Sequence, residues 1–213
     1  MAVIATERRH YSVAEFIALA DDLELAGSQE WYEIIGGELV SHASAEDPHM
    51  WAAIVCLGYL IDAQRASYGR AGTERMVVLD YRGPDIPVEH AYKPDAFFVV
   101  RERETILQHP ETASVVGAPD VVVEVLSPTT ARFDRPPRGK KFQAYERAGV
   151  RHYWLVDTRG KTVTTYEQRE GKLLATAVLR QGDTVRCPLF PELGLLVADV
   201  FGPVEPSARN VDQ

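Results

Sequence analysis

The chain has 213 residues, with 23 Lys+Arg against 31 Asp+Glu, a net charge of −8, 46% hydrophobic residues and two cysteines. A chain of this length buries roughly 70–75% of its unfolded surface, so it needs no disulfide framework, and Cys56 and Cys187 form no Cys-x-x-Cys pair for zinc or redox work. The absence of a long apolar run predicts neither signal peptide nor membrane span, scarce cysteine fits the cytoplasm, and an acidic pI of about 5.3 excludes a general coat of nucleic-acid affinity.

Ser12-Val-Ala-Glu15 is a capping box, and the apolar spacing that follows predicts a helix over 12–24. Trp31–Ile35 and Glu38–Ser41 flank Gly36-Gly37, which predicts a β-hairpin, because glycines accept the positive φ of tight turns. Asp47-Pro48 opens a long helix over 47–67 whose apolar stripe includes Met50, Trp51, Ile54, Val55, Leu57, Leu60 and Ile61. Short β-rich runs follow at 76–81, 96–101 and 120–126. The last, Val-Val-Val-Glu-Val-Leu, predicts a strand buried on both faces at the middle of a sheet. A Pro-rich basic stretch, 127–140, leads to a helix over 139–148 that ends at Gly149, then to strands at 151–157, 162–167 and 173–180. The tail from 202 is polar and predicted to be flexible. Residues 11–201 are predicted to form one α/β domain with a mixed central sheet.

Familiar signatures are missing. Gly139-Lys140-Lys141 lacks the first glycine and the Ser/Thr of a phosphate loop; no G-x-G-x-x-G, G-x-S-x-G or H-E-x-x-H occurs. The anomaly is Glu124 inside Val121–Leu126. Alternation puts it on one face with Val122 and Leu126, and a buried carboxylate demands a partner, either an arginine or solvent at a strand end. Asp95 follows Pro94 at the start of the preceding strand, where a turn role is the ordinary reading. Neighbouring strands lie about 4.8 Å apart, so the two acids together could bind one hard cation.

The ordered set Glu33-Ile-Ile-Gly-Gly-Glu-Leu-Val, His49, Pro94-Asp95, Pro119-Asp-Val-Val-Val-Glu124-Val-Leu-Ser-Pro, Lys141-x-x-x-Tyr145 and Gly149-Val-x-x-Tyr153-Trp-Leu-Val-Asp157 resembles the Uma2 family of restriction-endonuclease-like proteins. It spans roughly 11–201. The family is similar in fold to the PD-(D/E)xK nucleases, which implies a mixed central sheet flanked by helices and a metal-dependent phosphodiesterase site. Carried across, the resemblance implies Asp95 and Glu124 as catalytic metal-binding acids, helped by the main-chain carbonyl of Val125, and Glu33 as a further acid. Leu126 stands where the superfamily has lysine, so the catalytic lysine is expected from the helix. Lys141 is favoured over Lys140 because it shares a face with Tyr145. Gly36 departs from an aspartate often found there.

The implied activity is Mg²⁺- or Mn²⁺-dependent endonucleolytic cleavage of DNA by a homodimer. RNA or another phosphodiester shares every residue, and the alternative is a non-catalytic homodimeric nucleic-acid-binding module of the same fold. Residues 129–151 hold seven positive side chains against Asp134 and Glu146, a net +5 that leaves −13 elsewhere. Arg132, Arg135, Arg138 and Lys140 are the expected phosphate contacts. Tyr145 is expected to pack or to donate a hydrogen bond behind an acid, His49 to be satisfied locally at its helix start, Asp157 to serve a turn, and Trp154 to lie in the core.

Overall fold

The computed structural model describes residues 10–25, 30–42, 47–83, 85–109, 114–127 and 131–202; the predicted tail beyond 202 lies outside them. Helix α1 (Val13–Leu25) starts as its capping box dictates: the Ser12 N–H donates to Glu15 Oε2 at 2.9 Å and the Glu15 N–H to Ser12 Oγ at 3.2 Å. Strands β1 (Trp31–Ile35) and β2 (Glu38–His42) form the hairpin, with Ile35 opposite Glu38. Gly36 and Gly37 adopt φ of 62° and 77°, the doubly left-handed turn that few other residues accept. Helix α2 (Asp47–Arg65) leads through β3 (Gly69–Gly72), β4 (Val77–Val78) and β5 (His90–Tyr92) to β6 (Ala96–Val100), and a 3₁₀ segment, Arg101–Leu107, precedes β7 (Val115–Val116). Strand β8 (Val121–Val125), the short helix α3 (Ala131–Asp134) and α4 (Lys140–Ala148) follow, then β9 (His152–Asp157), β10 (Thr162–Arg169), β11 (Lys172–Leu179), β12 (Thr184–Val185), β13 (Leu195–Leu196) and α5 (Val197–Val200). Of the run at 76–81 only two residues pair as a strand, and β3 and β5 are too short to show a period of two.

The strands make two mixed sheets and a small β12–β13 pair. The larger sheet runs β11-β10-β9-β8-β6-β3, with β8 parallel to β9 and the remaining pairs antiparallel; the second runs β2-β1-β5-β4-β7. Strand β8 is central and buried throughout, as its apolar run requires. Val121, Val123 and Val125 join the core that contains Ala52, Cys56 and Leu60 of α2 together with Trp154. Val122 and Leu126 join Phe142, Ala144 and Tyr145 of α4. Each such buried large side chain contributes about 1.5–3 kcal/mol.

Helix α2 differs from its expected stripe. Its buried face is built on Ala52, Cys56, Leu60 and Ala63, while Met50, Trp51 and Ile54 are exposed. Small residues let the helix approach the sheet closely, which turns the bulkier apolar side chains outward.

Candidate active site

Glu124 reaches from β8 toward α4, on the face set by Val122 and Leu126. There it meets Lys141, whose ammonium lies 3.0 Å from Glu124 Oε2, 3.1 Å from Glu33 Oε1 and 3.6 Å from Asp134 Oδ1. The acids come from β8, β1 and α3, so one ammonium joins both sheets to two helices. Lys141 is 1% exposed and Glu33 0%. A cation in the first turn of a helix opposes the macrodipole, and the surrounding carboxylates offset that cost. Tyr145, one turn along α4, donates its hydroxyl to Glu124 Oε1 at 2.9 Å. Glu33 Oε1 also accepts the Lys93 N–H at 2.8 Å, and Tyr153 donates to the Asp134 main-chain carbonyl at 3.2 Å.

The charges do not balance. Burial alone would lower the Lys141 pKa, but Glu124, Glu33, Asp134 and Asp95 outweigh it and hold the lysine well above its ordinary value. Burial raises Glu124 well above the usual carboxylate range; Lys141 opposes this, while Asp134, Asp95 and Glu33 add to it. Among the described residues Lys141 is the ammonium shared by Glu124, Glu33 and Asp134, and the acids that crowd it add to the burial that raises Glu124.

Asp95 sits where β6 and β8 part. Their register pairs Ala96 with Val123 and Phe97 with Val122; continued, it would set Pro94, which has no N–H, against Val125. The Asp95 side chain takes over at that point, its Oδ2 accepting the Val125 N–H at 2.6 Å. Oδ1 stands 3.6 Å from His49 Nε2 and accepts no hydrogen bond among the described residues. Burial, partly opposed by His49 and the Val125 N–H, raises Asp95 to about 6. Its side chain, 17% exposed, opens with His49 onto a cleft of about 330 Å³ that Trp31, Met50, Ile54, Leu57 and Lys93 also line.

A model of the family described as "Uma2: Putative restriction endonuclease" matches residues 13–198. The chain belongs to the Uma2 family. A crystal structure of "a putative nuclease belonging to DUF820 from Anabaena variabilis" superposes on this Uma2 chain with a TM-score of 0.66, covering 90% of this chain and 97% of that one at 20% identity. That likeness bears out the mixed α/β fold. No curated protein matches the chain.

In this Uma2 protein Glu33, Glu124 and Lys141 converge as one cluster, with Asp95 bonded to the backbone immediately after Glu124. The cation that meets Glu124 is a lysine rather than an arginine. Lys140 points elsewhere, 3.4 Å from Glu38. Arg135 pairs with Asp157 at 2.9 Å, Arg132 lies over the Phe133 ring at 4.5 Å, and Arg138 is exposed; none of these four lines the cleft. Asp157 also accepts the Arg159 and Gly160 N–H groups, and Trp154 is buried, each in its expected structural place.

His49 departs from expectation: its Nδ1 is buried and finds no hydrogen-bond partner among the described residues, while Nε2 faces Asp95. Asp134 was legible only as a negative charge in a basic segment, and nothing local marks it as a neighbour of Lys141. Lys93 could have been noticed, since it stands two residues before Asp95. Among the described residues no three His, Cys, Asp or Glu side chains are grouped to hold a metal.

Proposed function

We propose that this Uma2 protein is a divalent-metal-dependent nuclease that hydrolyses phosphodiester bonds in DNA. The reading is carried by the acids gathered around the buried Lys141 and by Asp95, which is bonded to the backbone next to Glu124 and opens onto the cleft. Asp95, Glu124 and the Val125 carbonyl would hold Mg²⁺ or Mn²⁺. The donor that suits such an ion is Asp95 Oδ1, a hard oxygen at the cleft with only His49 Nε2 3.6 Å away, whereas Lys141 and Tyr145 hold both Glu124 oxygens; a metal that keeps several waters needs few protein donors. Bound there, the ion supplies a more acidic water and neutralises charge on the phosphate.

The protein's own groups set the stage for that chemistry. Asp95 is fixed by the Val125 N–H, so its other oxygen, 3.6 Å from His49 Nε2, is presented without rotation. Lys141 keeps its proton against four carboxylates and therefore works as a cation and donor, not as a base. Glu33 and Lys141 are positioning residues: Glu33 holds the ammonium, and the ammonium with Tyr145 holds both oxygens of Glu124. A homodimer would place one such site against each strand of a duplex, with residues 11–201 as the catalytic unit. Among the described residues no helix is long and apolar enough to cross a membrane, and we place the protein in the cytoplasm.

The sealing of Lys141 and Glu33 supports a second reading, a binding module in which the lysine is only a buried counter-ion. Cleavage assays on supercoiled and linear DNA separate the two. The wild type is expected to nick in Mg²⁺ or Mn²⁺ and not in EDTA, and Asp95→Ala to abolish nicking while remaining folded. Activity that survives Asp95→Ala would sink the site.

A further inference from the structure

The cleft at Asp95 has the wrong walls for a duplex. Surfaces that bind double-stranded DNA are polar and strongly positive, and duplex affinity rests on neutralising several phosphates. Here the charged side chains lining the cleft are Lys93, Glu74 and Asp95, and the ammonium of Lys93 has no ion pair among the described residues. The walls are Trp31, Met50, Ile54 and Leu57. Met50 and Ile54 are 50% and 55% exposed, so they form the rim, while Asp95 and His49 lie deeper. A volume of about 330 Å³ is at the small end of ligand pockets, of about 300–1,000 Å³.

We propose that this cleft seats one unpaired nucleotide, its base against the apolar wall of α2 and its phosphate between Lys93 and the Asp95 side. The inference rests on the nuclease reading and specifies its substrate as a single-stranded or locally opened strand. Two observations select this occupant. The apolar wall and the acid that would bind the metal line one cleft, so an occupant that reaches Asp95 also lies against that wall. Among the described residues the cleft offers one free ammonium beside two acids, too little to track a polyanion, so affinity must come from the base, whose face packs on apolar and aromatic side chains whatever its sequence. Lys93 then supplies a single phosphate contact next to the reacting centre. The basic residues Arg132, Arg138 and Arg147, outside the cleft, are left for the flanking chain.

The test is fluorescence anisotropy in EDTA with a labelled DNA 12-mer, its RNA counterpart and the DNA duplex, using wild type, Ile54→Asp, Lys93→Ala and, as a control of equal chemistry on the far edge strand, Val178→Asp. Wild type should bind one or both single strands about tenfold or more tighter than duplex, and Ile54→Asp should lose about tenfold of that affinity, the scale of one lost base contact. Lys93→Ala should weaken the single strand and flatten its salt dependence, and Val178→Asp should match wild type. The two strand chemistries identify the sugar. Duplex bound as tightly as either strand, no binding at all, or Ile54→Asp indistinguishable from wild type would overturn the proposal. Cleavage run in parallel with Mn²⁺ keeps the two readings apart. Single-strand preference lost in Ile54→Asp, with no cleavage of any substrate, leaves the cleft standing and defeats the nuclease. Duplex cleavage insensitive to Ile54→Asp does the reverse.

Discussion

The two ends of β8 carry buried acids with different numbers of cations around them. At its start Asp120, fully buried, accepts the Val100 N–H at 2.9 Å and lies 2.7 Å from Arg103 and 3.5 Å from Arg151. Four residues on, roughly 13 Å along the strand, Glu124 shares one lysine with Glu33 and Asp134 while Asp95 adds its charge nearby. Among the described residues, one end has two guanidiniums for one acid, and the other has one ammonium, with His49 beside Asp95, for four. Buried charges in a purely structural role are expected to be paired, as at Asp120. On the proposed reading, the acids left over at the Glu124 end are the ones a bound metal would neutralise.

Removing the cation should separate the two ends most sharply. Lys141→Met strands the acids around it and should cost about 3–5 kcal/mol in urea unfolding at neutral pH. The loss should shrink toward acid pH, because Glu124, already raised, takes up a proton. An unchanged midpoint would mean that the lysine does not hold the cluster.

Asp95→Asn should do the opposite. The folded pKa of about 6 lies above the ordinary 3.8, so between those values the native state binds more protons than the unfolded state, and stability falls as pH rises. Both states are protonated below the window; above it the folded protein bears the full cost of the charge, at most about 3 kcal/mol for two units. The amide keeps an acceptor for the Val125 N–H. Its variant should therefore be more stable than wild type at pH 8 and equal to it near pH 3.5, by thermal melts at both values. A destabilised variant at pH 8 would contradict the charge imbalance.

The smallest effect belongs to the balanced end. Arg103→Ala leaves Asp120 with Arg151 and the Val100 N–H, so its loss should be about 1–2 kcal/mol, tempered by the partial exposure of the guanidinium. A loss as large as that of Lys141→Met would erase the contrast.

Much of this was legible before any coordinates. The Ser12–Glu15 box, the Gly36-Gly37 turn, the doubly buried β8 and the Gly149 cap, with φ of 84°, each follow from local chemistry, and each is where it was expected. Glu124 announced itself as a carboxylate in a valine run, and the helical spacing of Lys141 and Tyr145 puts both on its oxygens. What escaped was tertiary. Asp134 sits in a four-residue helix whose position depends on how the chain returns after β8. His49 and Lys93 gain meaning only when α2 and β5 close around Asp95. The exposed wall of α2 was hidden because an apolar helix does not declare which of its apolar sides the sheet will take.

On the proposed reading the Glu124 end holds more acids than the cations around it can pair, and the Asp120 end does not. Thermal melts of wild type, Asp95→Asn and Arg103→Ala with and without Mn²⁺ test it without relying on turnover. Ligand at a hundredfold its Kd adds about 2.7 kcal/mol, a Tm rise of several degrees for a chain this size. Wild type and Arg103→Ala should show that rise, and Asp95→Asn should start higher at pH 8 and gain little. No rise in wild type, or an equal rise in Asp95→Asn, would contradict the account.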